Sequence, residues 1–533
     1  MVPMTETERL RLRLLGHRPT DTLWGWLGPL LIAVWGGVLR FVNLGHPGTL
    51  VFDETYYVKQ GWSMVEYGHE RRVLEALAAA DATPKVDDVF ASGDPNVFGT
   101  AADFVVHPPV GKWLIGAGEW LIGVDNPLSW RFAAALAGTL SILMLARIAR
   151  RMFGSTSLGV IAGLLLAVDG QHFVHSRTGL LDIFVMFFAL AGFGALVVDR
   201  DRSRERLADY VARLRMAGVG PGDPRLLYGP WLGWRPWRLI AGVSIGLATG
   251  VKWSGLYFLV VFGLMTVFWD MGARRSAGIR RWWRAAILRE APQAAVTMVG
   301  ATLVTYVISW TGWFATSGGY NRQWADENPA DGIVALVPGP LRSLWHYHVQ
   351  MLEFHRTLHT SHDYMSNPWS WILQTRPTSF YYMGYENGEA GCTVDKCSAA
   401  ITNLGNPVIW WAGAAALAVL VIMWLWKRDW RAGAVLAGYA GGYLPWFLLE
   451  DRTIYTFYSV AFVPWVVLGV VYVLGLVAGT PDDPPSRRRL GNIVVIGYVV
   501  LAMSAFAFFY PVYTASLIPY EHWSWRMWLP SWI

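Results

Sequence analysis

The sequence is organised as a series of apolar runs about 20 residues long, separated by polar segments. A run of that length crosses the hydrocarbon core of a bilayer as one helix. A chain with many such runs must satisfy its backbone polar groups within each segment, which reduces the fold to a helical bundle. Composition agrees: 54% of the 533 residues are hydrophobic and only 15% are charged. A soluble protein carries about a quarter charged residues. The net charge of +6 is therefore no argument for nucleic acid. What matters is where Lys and Arg fall.

Eleven spans are read, near 23–42, 131–149, 156–174, 179–198, 237–251, 254–269, 292–313, 406–426, 431–449, 456–478 and 491–511. The first follows Arg9, Arg11, Arg13 and Arg18. It is too long for a signal-peptide core and lacks a small-residue cleavage site, so it is expected to remain as a span. The fifth and sixth are nearly continuous, broken around Gly250-Val251-Lys252-Trp253-Ser254-Gly255. The basic segments are Arg9–Arg18, Arg147–Arg151, Arg200–Arg238, Arg274–Arg289, Lys427–Arg431 and Arg487–Arg489. With eleven spans and a cytoplasmic N-terminus all six lie on one side, as the positive-inside rule requires. Merging spans five and six would put the later ones outside, so the break at Lys252 is retained.

The chain then divides into a basic cytoplasmic N-terminus (1–22), an N-terminal transmembrane module (23–313), a second outer loop (314–405) and a C-terminal transmembrane module (406–533). The first outer loop, 43–130, lies within the N-terminal module. Both loops contain amphipathic stretches, such as Gly111–Gly123, suited to the interface plane. The stretch from Arg71 to Asp103, rich in Ala, Asp and Pro, reads as a mobile insertion. The inverted repeat that marks many transporters is not apparent. Cys392 and Cys397 fall on the oxidising side and are read as a disulfide closing a tight loop. Chain entropy gives so small a ring about 2 kcal/mol. The alternative is two unpaired thiols, and a two-Cys metal site lacks partners.

Ionisable residues near membrane depth are costly to keep. Here they gather at the outer edge: Asp53, Glu54, His107, Lys112, Arg131, Arg177, Asp182, Lys252 and Glu450-Asp451-Arg452. A transporter would place such groups near the midplane. A rim of acids and bases on one face points instead to a reaction at the membrane surface. For any single Lys or Arg the competing reading is snorkelling or a structural ion pair, and for Asp53-Glu54 it is a solvated turn.

Several of these residues sit in recognisable strings. They are Phe52-Asp53-Glu54-Thr55-Tyr56-Tyr57, His107-Pro108-Pro109-Val110-Gly111-Lys112, Val251-Lys252-Trp253-Ser254-Gly255, and the His362–Trp371 segment, with Arg131 opening the second span. In that order, over nearly the full chain, they resemble the motif set of the protein O-mannosyltransferases, membrane glycosyltransferases of the GT-C superfamily. The second outer loop has no room for the β-trefoil of eukaryotic members, so the resemblance is to the bacterial, actinobacterial-type branch. It implies an all-α polytopic GT-C fold with about eleven transmembrane helices and interfacial helices in the outer loops. It also implies a multi-pass protein of the cell membrane, among membrane lipids, with its active site extracytoplasmic and no cofactor. The donor would be polyprenyl-phosphate-mannose and the acceptors Ser or Thr hydroxyls of exported polypeptides, with the export machinery as a possible neighbour.

Residue chemistry fits that expectation. Phosphate leaves readily without a strong acid, whereas a hydroxyl nucleophile needs a base within hydrogen-bond reach. One carboxylate suffices for a direct displacement that inverts the anomeric centre from β to α. Asp53 is the expected base. Glu54 is expected to orient the acceptor or tune Asp53, because adjacent carboxylates resist simultaneous ionisation. Arg131, Lys112, His107, Lys252 and Arg452 are the candidate ligands of the departing phosphate, unranked. For His107 a structural role capping the Pro-Pro turn competes.

Tyr57, His362, Tyr364 and Trp369 are weaker candidates for acceptor or sugar contacts. They belong to an aromatic-rich region with Trp345, Tyr347, Trp371, Phe380, Tyr381 and Tyr382, for which a bilayer belt is the competing reading. His359, His362 and Asp363 read as a surface cluster rather than a metal site. Two alternatives stay open: a GT-C enzyme using another sugar or a lipid or polysaccharide acceptor, and a polytopic lipid transporter.

Overall fold

The computed structural model describes residues 4–79, 82–220 and 222–533. Eight helices among them are long and apolar enough to cross a membrane: Thr22–Phe41, Ser129–Phe153, Asp182–Met216, Gly255–Ser276, Trp282–Ser309, Pro407–Leu425, Thr456–Ala478 and Pro485–Tyr513. The other three expected spans fall on shorter helices, Thr156–Ala167, Pro236–Val251 and Trp430–Gly442. Each stops for a visible reason. The first gives way at Asp169, whose side chain caps a new short helix, Gly170–His175. The second ends where Lys252 turns extended (φ −146°, ψ 146°). The third passes into a 3-10 turn, Leu444–Leu448, at Pro445.

Without a hydrophobic drive between helices in lipid, small residues that permit close approach set the packing. A Cβ at Gly242 would lie 2.3 Å from the Thr297 carbonyl oxygen. The same device joins two helices of the first outer loop, Glu54–Tyr67 and Val110–Ile122. They cross at Gly61 and Gly116, where a Cβ on Gly116 would sit 2.3 Å from the Gly61 carbonyl oxygen.

The basic segments gather at one end of the bundle. The N-terminal helix Glu6–Leu15 lies along the far half of Asp182–Met216, with Arg11 bonded to Asp209 and Arg18 to Glu205. Arg151 joins Asp201 of the same helix, and Arg200 stacks over Trp430. Phe153 packs on Tyr472, near the end of the span that precedes Arg487. A buried network closes this end: Arg235 reaches Asp199 and Asp270, each at 2.5 Å, and Glu290 pairs with both Arg235 and Arg274. The acid-base rim lies at the opposite end.

Two polar layers cap that rim. In the first, β1 (Arg71–Val73) pairs antiparallel with β2 (Phe98–Ala102), and the intervening chain buries Phe90 and Val97 completely. The segment expected as a mobile insertion is thus a folded unit, because two apolar residues in a polar stretch supply it with an anchor. In the second, the helix Gly339–Thr357 is followed by β3 (Thr378–Glu386) and β4 (Lys396–Asn403), which run antiparallel from Thr378↔Asn403 to Glu386↔Lys396. The Cys392–Cys397 disulfide closes their turn, and β5 (Ile518–Pro519) adds to β4. The two layers interlock: Tyr347 Oη donates to the Val105 carbonyl at 2.9 Å and accepts the Val105 N–H at 3.2 Å.

Because the Gly61–Gly116 crossing carries the start of both first-loop motifs, Gly116→Val is expected to destabilise the protein by about 1–3 kcal/mol through overpacking. Thermal unfolding in detergent checks this, with Gly263→Val, at a glycine whose Cβ meets nothing within 4 Å, as the tolerated comparison.

Candidate active site

The site begins at a tight turn. Val51-Phe52-Asp53-Glu54 reverses the chain into the 54–67 helix, and Phe52 adopts φ +49°. A bulky residue in the left-handed region costs roughly 1–3 kcal/mol and persists only when its surroundings impose it. Glu54 supplies part of that imposition. Fully buried, it accepts the Val51 N–H at 2.9 Å and the Gly179 N–H at 2.7 Å, and it pairs with Arg131 through two bonds of 2.8 Å. Arg131 gives its remaining donors to the carbonyls of Leu44, Pro47 and Thr49.

All five guanidinium N–H groups are therefore engaged, and Arg131 has none to offer a phosphate. Lys112, also expected at the phosphate, is buried with its ammonium on Glu70 at 2.5 Å and on the His107 carbonyl at 2.8 Å. Neither residue lines the cavity that Lys252 and Asp182 border. Both instead fix the loops that carry Asp53 and His107, and Glu54, expected near the acceptor, faces inward to do the same.

Asp53 is left as the exposed half of the pair. It is half-buried, and its carboxylate makes no hydrogen bond among the described residues. Burial pushes its carboxyl up to about 6; the Lys252 ammonium opposes the shift and Asp182 adds to it. Those two residues lie on the wall of a cavity of about 330 Å³; Asp53 is not in its lining but is close enough to feel both charges. The wall is polar where His107, Asp182, Lys252, His355, Arg452 and Tyr458 meet, and apolar toward Val185, Phe258, Leu448 and Ala461.

The cations on that wall differ. Lys252, presented by the helix break, bonds Asp182 at 2.8 Å and is thereby neutralised. Arg452 makes no ion pair among the described residues; it donates from Nη2 to His355 Nδ1 at 2.9 Å, and its Nε is buried without a partner. His355 Nε2 meets the Val106 carbonyl at 2.9 Å. The proton thus sits on Nε2 and the ring is neutral. Burial and then the Arg452 charge push its pKa down to about 4. His107 stacks on His355 with centroids 5.5 Å apart and is held well below the usual histidine range, by burial first and then by Lys252.

Tyr57 packs against His107 at 6.2 Å, near both Asp53 and Asp182. His362 and Tyr364 lie outside the cavity lining, on Tyr455 and under Arg376, and Trp369 is exposed against Phe447. His359 bonds the Asp451 carbonyl on the cavity wall, apart from His362. Sequence reading missed His355 and Tyr458 altogether and left Asp182 without a role. An intramembrane acid within reach of the Lys252 break was the one available signal.

A helical bundle with an acid-base rim around this cavity has the architecture of the GT-C membrane glycosyltransferases. The whole chain superposes on the Saccharomyces cerevisiae protein O-mannosyltransferase Pmt1–Pmt2 complex bound to the sugar donor, with a TM-score of 0.71 at 15% identity, covering 94% of that chain. Residues 106–220 match the family model of dolichyl-phosphate-mannose-protein mannosyltransferases, and residues 340–532 match the C-terminal four-span region of protein O-mannosyltransferases. A polyprenol-phosphate-mannose–protein mannosyltransferase of Mycolicibacterium smegmatis is 38% identical over 527 residues, 96% of this chain and 94% of the relative. That of Corynebacterium glutamicum is 35% identical over 94% of this chain and 92% of the relative. The chain belongs to the protein O-mannosyltransferase family, in its actinobacterial branch.

Removing one partner of a buried ion pair leaves an uncompensated charge and costs about 3–5 kcal/mol. Arg131→Met is therefore expected to lower the unfolding temperature sharply, whereas Arg452→Met leaves it near wild type. Differential scanning fluorimetry of the two variants separates a structural cation from a ligand-facing one.

Proposed function

We propose that this protein transfers mannose from polyprenyl-phosphate-mannose to Ser or Thr hydroxyls of exported polypeptides, with inversion at the anomeric carbon. The carrying observation is a half-buried carboxylate, Asp53, near a cavity onto which Arg452 faces, the first without a hydrogen bond and the second without an ion pair among the described residues. The acceptor oxygen attacks C1 of the mannosyl group while its proton passes to Asp53. The C1–O bond to the phosphate breaks, and its electron pair leaves with the polyprenyl phosphate, which gains one negative charge. Arg452 is the cation placed to meet that charge in a low-dielectric setting, where a preorganised donor counts for more than in water. Lys252, already balanced by Asp182, keeps the wall near neutral without attracting anions on its own account. The apolar part of the cavity suits the first prenyl units.

The same reading places the reaction on the extracytoplasmic face of the cell membrane. The basic segments cluster with the N-terminus at the far end, and the disulfide lies on the side of Asp53, as an oxidising exterior favours.

Purified protein is expected to mannosylate a Thr-rich peptide from polyprenyl-phosphomannose, and Asp53→Asn to abolish transfer. The base is competent only when deprotonated, so kcat/KM should fall as the pH drops through about 6 and level off above it. Arg452→Ala should lose on the order of a hundredfold in rate, or roughly 3 kcal/mol. Full activity in Asp53→Asn would remove the base. A membrane-impermeant maleimide should label a Glu389→Cys variant, on the exposed turn beside the disulfide, from outside intact cells; protection there would reverse the orientation.

A further inference from the structure

We propose that Phe52 and Phe380 form an aromatic joint through which the second outer loop sets the position of the Asp53 carboxylate. The inference rests on Asp53 being the base, and it assigns positioning roles to two residues that touch neither donor nor acceptor.

Four observations converge on this joint. Phe52, the residue before Asp53, is held in the left-handed region at φ +49°. No L-residue other than a short polar one enters that region readily, so something outside the turn must retain the ring. The Phe52 ring stacks on Phe380 with centroids 4.5 Å apart and planes at 10°, and it stands edge-on to Phe457 at 5.3 Å. Phe380 occupies the irregular step of the β3–β4 ladder: Ser379 pairs with Thr402 and Tyr381 with Ile401, so Phe380 is the extra residue of a bulge. A bulge re-aims a side chain, and bulges concentrate beside active sites. Finally, Phe380 is almost fully buried and is backed by the His175 ring, edge-on at 5.6 Å.

The Glu54–Arg131 pair fixes the turn from one side. The joint fixes it from the other, and the backbone conformation of Phe52 exists only between them. Truncating Phe380 would leave the Phe52 ring without its stacking partner and let residue 52 relax toward an extended conformation. Asp53 follows it in the chain and would swing with it. Lys252 and Asp182, the charged groups facing Asp53, stand on helix ends the joint does not carry, so the carboxylate would move relative to them.

The test compares full-length wild type with Phe380→Leu, Phe380→Tyr, Phe52→Leu and Asp53→Asn, assayed with polyprenyl-phosphomannose and a Thr-rich peptide across pH. Phe380→Leu and Phe52→Leu should each lose on the order of 10–100-fold in kcat, the cost of a misplaced catalytic group. The donor KM should stay within about twofold. In both, the acidic limb of the rate profile should move below about 6, because water reaches the carboxylate. Phe380→Tyr, which keeps the ring, should restore most of the lost rate.

An unchanged kcat and acidic limb in both Leu variants would overturn the joint, as would a Phe380→Tyr variant as impaired as Phe380→Leu. If Phe380→Leu does not fold, the Phe52→Leu profile decides by the same criteria. An active Asp53→Asn would sink the base assignment itself. An inactive Asp53→Asn beside unaffected Leu variants would sink only the joint.

Discussion

The buried Glu54–Arg131 pair is the interaction on which the active end depends. It ties together the first outer loop, the second span and the turn at Gly179, and it saturates every donor and acceptor it contains. Desolvating two charges is expensive, and only complete hydrogen bonding offsets that cost. The arrangement therefore tolerates one geometry. Adjacent carboxylates would ordinarily share a fate; here one is consumed as a structural anchor, and its neighbour, with no hydrogen bond among the described residues, is left near the Lys252–Asp182 pair.

Charge balance on that cavity follows a similar division. Lys252 and Asp182 come from different helix ends and cancel. The imidazoles of His107 and His355 are kept neutral by burial and nearby cations. Arg356, Asp451 and the guanidinium of Arg452, oriented by a neutral His355 that accepts its hydrogen bond, complete the charged part of the wall. The lining thus carries a small positive excess, which suits a monoanionic lipid phosphodiester that must bind, react and leave.

The bundle, its two outer layers and the carboxylate pair were legible in the sequence because they follow from apolar run length, loop charge and an Asp-Glu at membrane depth. The helix break at Lys252 was legible from charge sidedness alone. The roles inside the site were not. Arg131 and Lys112 looked like phosphate ligands because sequence reports a charge but not whether its donors are already spent. His355 sits in the amphipathic 339–357 helix, about 250 residues from the Val106 carbonyl it meets, and no local pattern brings them together. The 71–103 segment misread as mobile for a related reason: its composition is polar, but Phe90 and Val97 are enough to seat it. The early stops of Thr156–Ala167 and Trp430–Gly442 escaped, since those spans end at Asp169 and Pro445 rather than where hydrophobicity ends.

The Asp182–Met216 helix has one more consequence. Its 35 residues extend about 52 Å at 1.5 Å per residue, well beyond the roughly 30 Å of a hydrocarbon core. One end carries the acid that balances Lys252, while Asp199 at the midpoint is held by Arg235 and the far half by the N-terminal helix. The helix acts as a ruler. The height of the Asp182–Lys252 pair above the basic end is set by covalent rise, so a thicker or thinner bilayer must deform around the protein rather than shift that rim.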